Sequence, residues 1–237
     1  MALPNESTPV ADRPLGPVVP GGSALRPGAG LLEGRLGRLE RLDAARHGGD
    51  LWRATAGQDH LWTYLPYGPF TDAATFSRWL AERADLADPF GYAVIDPEGR
   101  AVGTVALRNI RPEMRVVEVG HVVYGAPLQG TPLGTEAQYL LARHVFEDLG
   151  YRRYEWRCNT LNAASRRMAQ RLGFTIEGVF RQDMIVKGKS RDTAWHAMLD
   201  NEWPARKRAL ERWLAPGNFD AAGRQRTSLS DVRGNDR

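Results

Sequence analysis

The rhythm of apolar and polar positions changes several times along the chain, and each change marks an element. Residues 32–42 alternate with the two-residue period of a strand. Asp43 is placed to cap a helix running towards Ala54, which Gly48 and Gly49 weaken. Residues 61–70 form an aromatic loop broken by Pro66 and Pro69. Thr71 is placed to cap a second helix, on which Phe76, Trp79, Leu80 and Ala84 recur at helical spacing. Extended segments follow at 92–95, 101–108 and 116–124, the first two joined by a turn at 96–99.

Beyond them, residues 135–149 predict a helix with Ala137, Leu140, Leu141 and Val145 on one face, stopped by Gly150. A strand is expected at 153–158, a short helix at 163–172 closed by Gly173, and strands at 175–186 and 192–199 around the turn at 187–189. A last helix begins near Pro204, since proline suits a first turn. This order predicts a mixed α/β domain with antiparallel hairpins and one strand–helix–strand crossover.

Composition adds boundaries and exclusions. Residues 1–30, rich in Pro, Gly, Ser and Ala, read as a flexible arm, and the polar stretch 221–237 as a flexible tail. Residues 31–220 then make one domain, long enough to bury a substantial core. The net charge of +4 suits an anionic cofactor or acidic partner without requiring nucleic acid; Arg206, Lys207 and Arg208 read as a solvated helix face. The single cysteine, Cys158, excludes an internal disulfide framework and a cysteine-rich zinc site. The five histidines have no metal-ligand spacing, so no metal is expected. No apolar run reaches membrane-spanning length and no secretory layout opens the chain, which makes the cytoplasm the expected compartment.

The most informative passage is 124–137, where a strand ends, a glycine-bearing loop turns and a long helix starts. Unpaired N–H groups at a helix start, with the positive end of the dipole, attract phosphate oxygens. Gly130 and Gly134 would let the backbone approach a pyrophosphate closely. Gly125 and Gly130 have P-loop separation, but Thr131 stands where a lysine is required, and the three-glycine dinucleotide fingerprint is missing.

On these residues the chain resembles the GCN5-related N-acetyltransferase (GNAT) superfamily, in the branch of ribosomal-protein N-terminal acetyltransferases. Gln129, Pro132 and Gly134 fall on the places of the superfamily's coenzyme A loop, with Pro132 departing from its central glycine. Thr135-Glu136-Ala137, Asn162-Ala163-Ala164-Ser165, Arg171-Leu172-Gly173-Phe174, Glu177-Gly178 and Arg191-Asp192 follow in the branch's order. The resemblance spans about 32–214. It implies one domain with a twisted, mixed but mostly antiparallel sheet flanked by helices, acetyl-CoA as cosubstrate, and acetyl transfer to an amine in a ternary complex. It also adds homodimerisation. A non-catalytic acyl-CoA binding or sensing module and an RNA- or ribosome-docking protein are the alternatives.

Acetyl transfer requires loss of a proton from the amine, donors for the thioester oxygen as it becomes an oxyanion, and a proton for the departing thiolate. The resemblance assigns the donors to backbone around Val122 to Tyr124, and the cofactor contacts to Gln129, Gly130, Thr131, Leu133, Gly134 and Thr135. Glu118 is the leading base, ahead of His121 and Asp183; each has an ordinary structural role as its alternative. The tyrosine acid that many relatives carry is replaced by Ala169, and Ser165 matches the acid of the ribosomal branch. Asn162 is either a pantetheine or phosphate contact or a helix cap. Cys158 reads as a buried thiol. Trp62, Tyr64, Tyr67 and Phe70 are candidates for the acceptor pocket, with core packing as their alternative. The acceptor itself is a small-molecule amine or a protein N-terminus.

Overall fold

The computed structural model describes residues 15–28 and 30–234. Eight strands form one sheet in the order β1-β2-β3-β4-β5-β6-β8-β7: β1 (Leu31–Glu33), β2 (Arg38–Arg41), β3 (Phe90–Ile95), β4 (Ala101–Arg111), β5 (Val116–Tyr124), β6 (Arg153–Asn159), β7 (Thr175–Val186) and β8 (Lys189–Leu199). Only β5 and β6 run parallel; every other neighbouring pair is antiparallel. The helices are α1 (Ala44–Thr55), α2 (Ala73–Ala84), α3 (Pro132–Arg143), α4 (Ala163–Leu172), α5 (Trp203–Leu214) and α6 (Leu229–Gly234).

The sheet separates two hydrophobic clusters, and β3 shows how the two-residue period feeds both. Tyr92 and Val94 join Leu140, Leu141 and Trp213 on one face, whereas Ala93 and Ile95 join Leu51, Phe76 and Leu80 on the other. Asp43 caps α1 by accepting from the Arg46 N–H, as its position predicted. The second helix is capped by Asp72, not Thr71: Asp72 Oδ1 accepts from the Thr75 N–H at 2.8 Å. A carboxylate one residue further on reaches the third helical amide better than the threonine does.

Two expected elements are divided. Residues 32–42 form the hairpin β1–β2, whose turn is held by the buried Glu136 carboxylate accepting the N–H groups of Arg35, Leu36 and Gly37 at 2.9, 2.7 and 3.1 Å. The helix expected at 135–149 starts at Pro132 and passes into a π-helical turn, His144–Asp148, before Gly150 takes a φ of +76°.

Parts of the segments expected to be loose are anchored on the domain, while residues 15–23 are exposed. Ala24 is buried, and the N–H groups of Ala24 and Leu25 donate to the carbonyls of Pro112 and Leu149. In the C-terminal stretch, Leu229 on α6 is only 1% exposed and Trp213 Nε1 donates to Gln225 at 2.9 Å. A polar composition hid these anchors. No helix among the described residues is long and apolar enough to cross a membrane.

Candidate active site

The parallel pairing of β5 with β6 runs from Val116↔Arg153 to Val119↔Trp156 and stops there. β6 keeps its other neighbour, β8, through Asn159↔Thr193. The strands therefore part, and the backbone of Gly120 to Tyr124 has no β6 partner. A bulge in the β4–β5 ladder lies at the same place: Ala106 pairs with Gly120 but Thr104 with Val123, and His121 takes a φ of +51°. The extra residue re-aims the side chains after Glu118. A cavity of about 120 Å³ opens at this parting, lined by Glu118, His121, Val122, Cys158, Asn162 and Ser165 among others.

Following β5, the loop turns through Gly125, and Thr131 caps α3 by accepting from the Gly134 N–H at 3.3 Å. Pro132 is the first helical residue, where its missing N–H costs no hydrogen bond. Its departure from the family loop thus leaves the helix start intact. Among the described residues the N–H groups of Gly130 and Leu133 have no acceptor. Gly130 takes a φ of +71° beside open space. Gly134 serves packing: a Cβ there would come within 3.0 Å of Tyr124 Cε2. Gln129 is turned back, its amide donating to the Tyr124 carbonyl at 2.9 Å.

A second cleft, about 560 Å³, lies over this helix start and includes Gly130, Thr131, Thr135, Arg171, Trp213 and Arg224 in its walls. Arg171 Nη1 donates to Thr135 Oγ1 at 2.8 Å, and its guanidinium lies 4.6 Å from the Trp213 ring centre. Leu133 is not among the cleft's lining side chains; it packs against the main core.

Glu118 is 2% exposed, and among the described residues its hydrogen-bond and ion-pair partners all meet one oxygen. Oε2 accepts from Arg157 Nε at 2.7 Å, from Arg157 Nη2 and from Asn109 Nδ2 at 2.5 Å. Burial raises its pKa above 4.5, against the lowering by Arg108 and Arg157. His121 Nδ1 lies 2.7 Å from the Tyr67 hydroxyl, and burial lowers its pKa to about 4, helped by Arg108 and Arg83. Ser165 Oγ accepts from Trp156 Nε1 at 2.9 Å, and Asn162 Oδ1 accepts from the Ser165 N–H at 3.0 Å as the cap of α4. The Cys158 thiol is pushed up by burial, partly offset by Ser165. Asp183 lies on β7 outside the cavity lining.

Of the aromatic candidates, Tyr64 lines the cavity and donates to the Leu161 carbonyl at 3.0 Å. Trp62, 3% exposed, packs with Phe70, Phe76 and Trp79, and neither Trp62 nor Phe70 reaches the cavity. Tyr67 is half-buried beside His121, stacked at 5.7 Å between ring centres, and does not line the cavity. The β7–β8 turn ties down this loop, as Lys187 Nζ donates to the Trp62 carbonyl at 2.8 Å. Residues to which the sequence assigned no site role also converge here: Arg108, Arg157 and Arg191 at the cavity, Arg171 and Trp213 at the cleft. The signal that could have found the first group is an arginine on each of three strands that share the sheet around β5.

A mixed sheet parted between its two parallel strands, with a cavity at the parting and a cleft over the capped helix start beyond it, defines an α/β fold with a candidate ligand site at the strand ends. Residues 38–175 match the family of the Acetyltransferase (GNAT) domain, and the chain belongs to that family. A GCN5-related N-acetyltransferase from Brucella melitensis has a solved structure 44% identical, with a TM-score of 0.88 over 90% of this chain and 98% of its own. A probable GNAT-family acetyltransferase from Chromobacterium violaceum is 41% identical, with a TM-score of 0.75 over 81% and 100%. The "Putative ribosomal N-acetyltransferase YdaF" of Bacillus subtilis strain 168 is 28% identical over 54% of this chain and 69% of its own length.

Proposed function

We propose that the protein transfers an acetyl group from acetyl-CoA to an amine by direct attack in a ternary complex. The observation that carries this reading is the parting of β5 from β6 after Val119↔Trp156, which leaves one edge of the β5 backbone without a β6 partner beside a cavity. The donor fits the residues present. The free amides of Gly130 and Leu133 at the start of α3, with Thr131 and Thr135 in the cleft wall and Arg171 beside them, would hold its phosphates through N–H groups, positive charge and the helix dipole. Val122 and Tyr124 backbone would hold the pantetheine arm, with the cap residue Asn162 beside it. When bound, acetyl-CoA supplies an activated thioester whose thiolate is a tolerable leaving group.

The chain's own groups handle protons. Glu118, its Oε2 occupied by Arg157 and Asn109, keeps Oε1 to take the amine proton through water. His121 is neutral above about pH 4 and positions Tyr67. Ser165 Oγ accepts from Trp156, and its hydroxyl, which also bonds the Cys158 thiol, gives its proton towards the departing sulfur. Nitrogen bonds to the acetyl carbon as the carbon–sulfur bond breaks; the nitrogen's proton goes to Glu118 and the thiolate is protonated through Ser165. A covalent acetyl-Cys158 is disfavoured by that thiol's raised pKa.

The lone buried cysteine supports action in a reducing compartment, the cytoplasm. Exposed Ile176, Val179, Phe180 and Met184 on β7 support pairing with a second copy. Calorimetric titration with acetyl-CoA and with desulfo-CoA tests the central reading, followed by amine-dependent thiol release. Saturable binding with turnover is expected. Tight binding without turnover on any amine would leave the acyl-CoA binding module, and no binding to folded protein would overturn both.

A further inference from the structure

Three guanidiniums and one carboxylate line the cavity where β5 and β6 part: Arg108 from β4, Arg157 from β6 and Arg191 from β8, against Glu118. Their pairing is uneven. Arg157 closes on Glu118 Oε2, and its guanidinium lies 4.3 Å from the Trp195 ring centre. Arg108 Nε is 3.9 Å from the same oxygen, at the limit of an ion pair. Its stem lies across Gly120, where a Cβ would meet Arg108 Cδ at 2.6 Å, so the absence of a side chain there makes room for it. Arg191 Nε donates to Thr193 Oγ1 at 3.1 Å, a neutral partner. Asp183 acts on Arg191 electrostatically but does not line the cavity, and His121 is uncharged at neutral pH.

Glu118 can offset one positive charge of the three. In a partly desolvated cavity the remainder repels a second cation and favours an anion. An acceptor that brings only an ammonium group, such as a polyamine or a lysine-rich segment, meets like charge. One that brings a carboxylate beside its amine finds planar forks matched to that group. The same field favours the neutral form of the amine, the form that attacks.

Resting on the acetyltransferase reading, we propose that the acceptor is a primary amine carrying a nearby carboxylate, held by Arg191 and Arg108. Either a free amino acid or the N-terminus of an acidic peptide presents that chemistry. Arg108 and Arg191 are specificity residues; neither takes the amine proton.

The test uses the full chain saturated with desulfo-CoA, whose binding is measured first. Calorimetry then compares the peptide amides Ser-Asp-Ala-Ala, Ser-Asn-Ala-Ala and Ser-Lys-Ala-Ala, and separately serine with serinamide. A carboxylate held by charged donors predicts affinity roughly tenfold or more above the neutral partner in at least one arm, with the lysine peptide weakest. The arm that discriminates identifies the source. Arg191→Gln and Arg108→Gln should each reduce that preference to about threefold or less while desulfo-CoA binds as before. Equal binding of acidic and neutral ligands, preference for the lysine peptide, or no binding in either arm overturns the proposal. Failure of desulfo-CoA itself to bind would instead overturn the reading beneath it.

Discussion

Trp156 Nε1 donates to Ser165 Oγ at 2.9 Å, and Trp156 is also the last β6 residue paired with β5. The hydroxyl is thereby fixed at the point where the strands part, between the Trp156 indole and the Cys158 thiol. Ser165→Ala should lower kcat roughly tenfold to a hundredfold with little change in the KM for acetyl-CoA. It should also cost about 1–3 kcal/mol in urea unfolding, because the buried indole N–H loses its acceptor. A variant with unchanged kcat and reduced stability would make Ser165 purely structural.

Glu118 carries a pKa raised first by burial, so the acid limb of the pH–rate profile should lie above pH 4.5. Glu118→Gln should lower kcat/KM and remove that limb. An acid limb of unchanged position in the variant would transfer the base to another group.

His121 gives a stability prediction with a definite sign. Its folded pKa, about 4, lies below the ordinary 6.5, so the unfolded chain takes up the proton first as pH falls. Its contribution is present above pH 6.5 and is lost as pH falls towards 4. The loss amounts to about 3 kcal/mol. His121→Asn, which tolerates the φ of +51°, should lose correspondingly less stability between pH 7 and pH 4 than the parent. Parallel denaturant titrations at the two pH values measure the difference.

Gly134 would ordinarily gain from alanine, a better helix former by about 1 kcal/mol. Here a Cβ would meet Tyr124 Cε2 at 3.0 Å and the Leu128 carbonyl at 3.2 Å. Tyr124 cannot easily yield, since its hydroxyl donates to the Gly134 carbonyl and accepts from Gln138. Gly134→Ala should therefore destabilise by about 1–3 kcal/mol. A raised melting temperature would show that the ring moves.

Arg171 adds positive charge to the start of α3 through Thr135. Arg171→Gln should weaken acetyl-CoA binding about tenfold, and the salt dependence of that binding should flatten. Titration at two ionic strengths separates this loss of charge from a general loosening of the cleft.

Strand and helix order was legible because the apolar periods are local: β5, α4 and β7 begin and end at the expected residues. The caps at Asp43 and Asn162 were legible for the same reason. What the chain could not display were relations across the sheet. Arg108, Arg157 and Arg191 each alternate within a strand like solvated residues, and they become one cationic wall only when β4, β6 and β8 share a sheet with Glu118. Trp62 and Tyr64 sit two residues apart in one aromatic loop, yet one is core and the other cavity wall, a distinction set by where the loop docks. Gln225 and Leu229 lie in a polar stretch whose composition masked their contacts with α5 and the core.

Glu136 joins the beginning of the domain to its middle, for the three amides it accepts lie about one hundred residues earlier in the chain. During synthesis the turn between β1 and β2 is made long before the carboxylate that satisfies it exists. That hairpin must wait, with open donors, until α3 forms and docks. Completion of the α3 end and the settling of the first hairpin are therefore one event in time. A lesion in that early turn, such as a proline at Leu36, would be felt as a late failure to mature, far along the chain from where it was written.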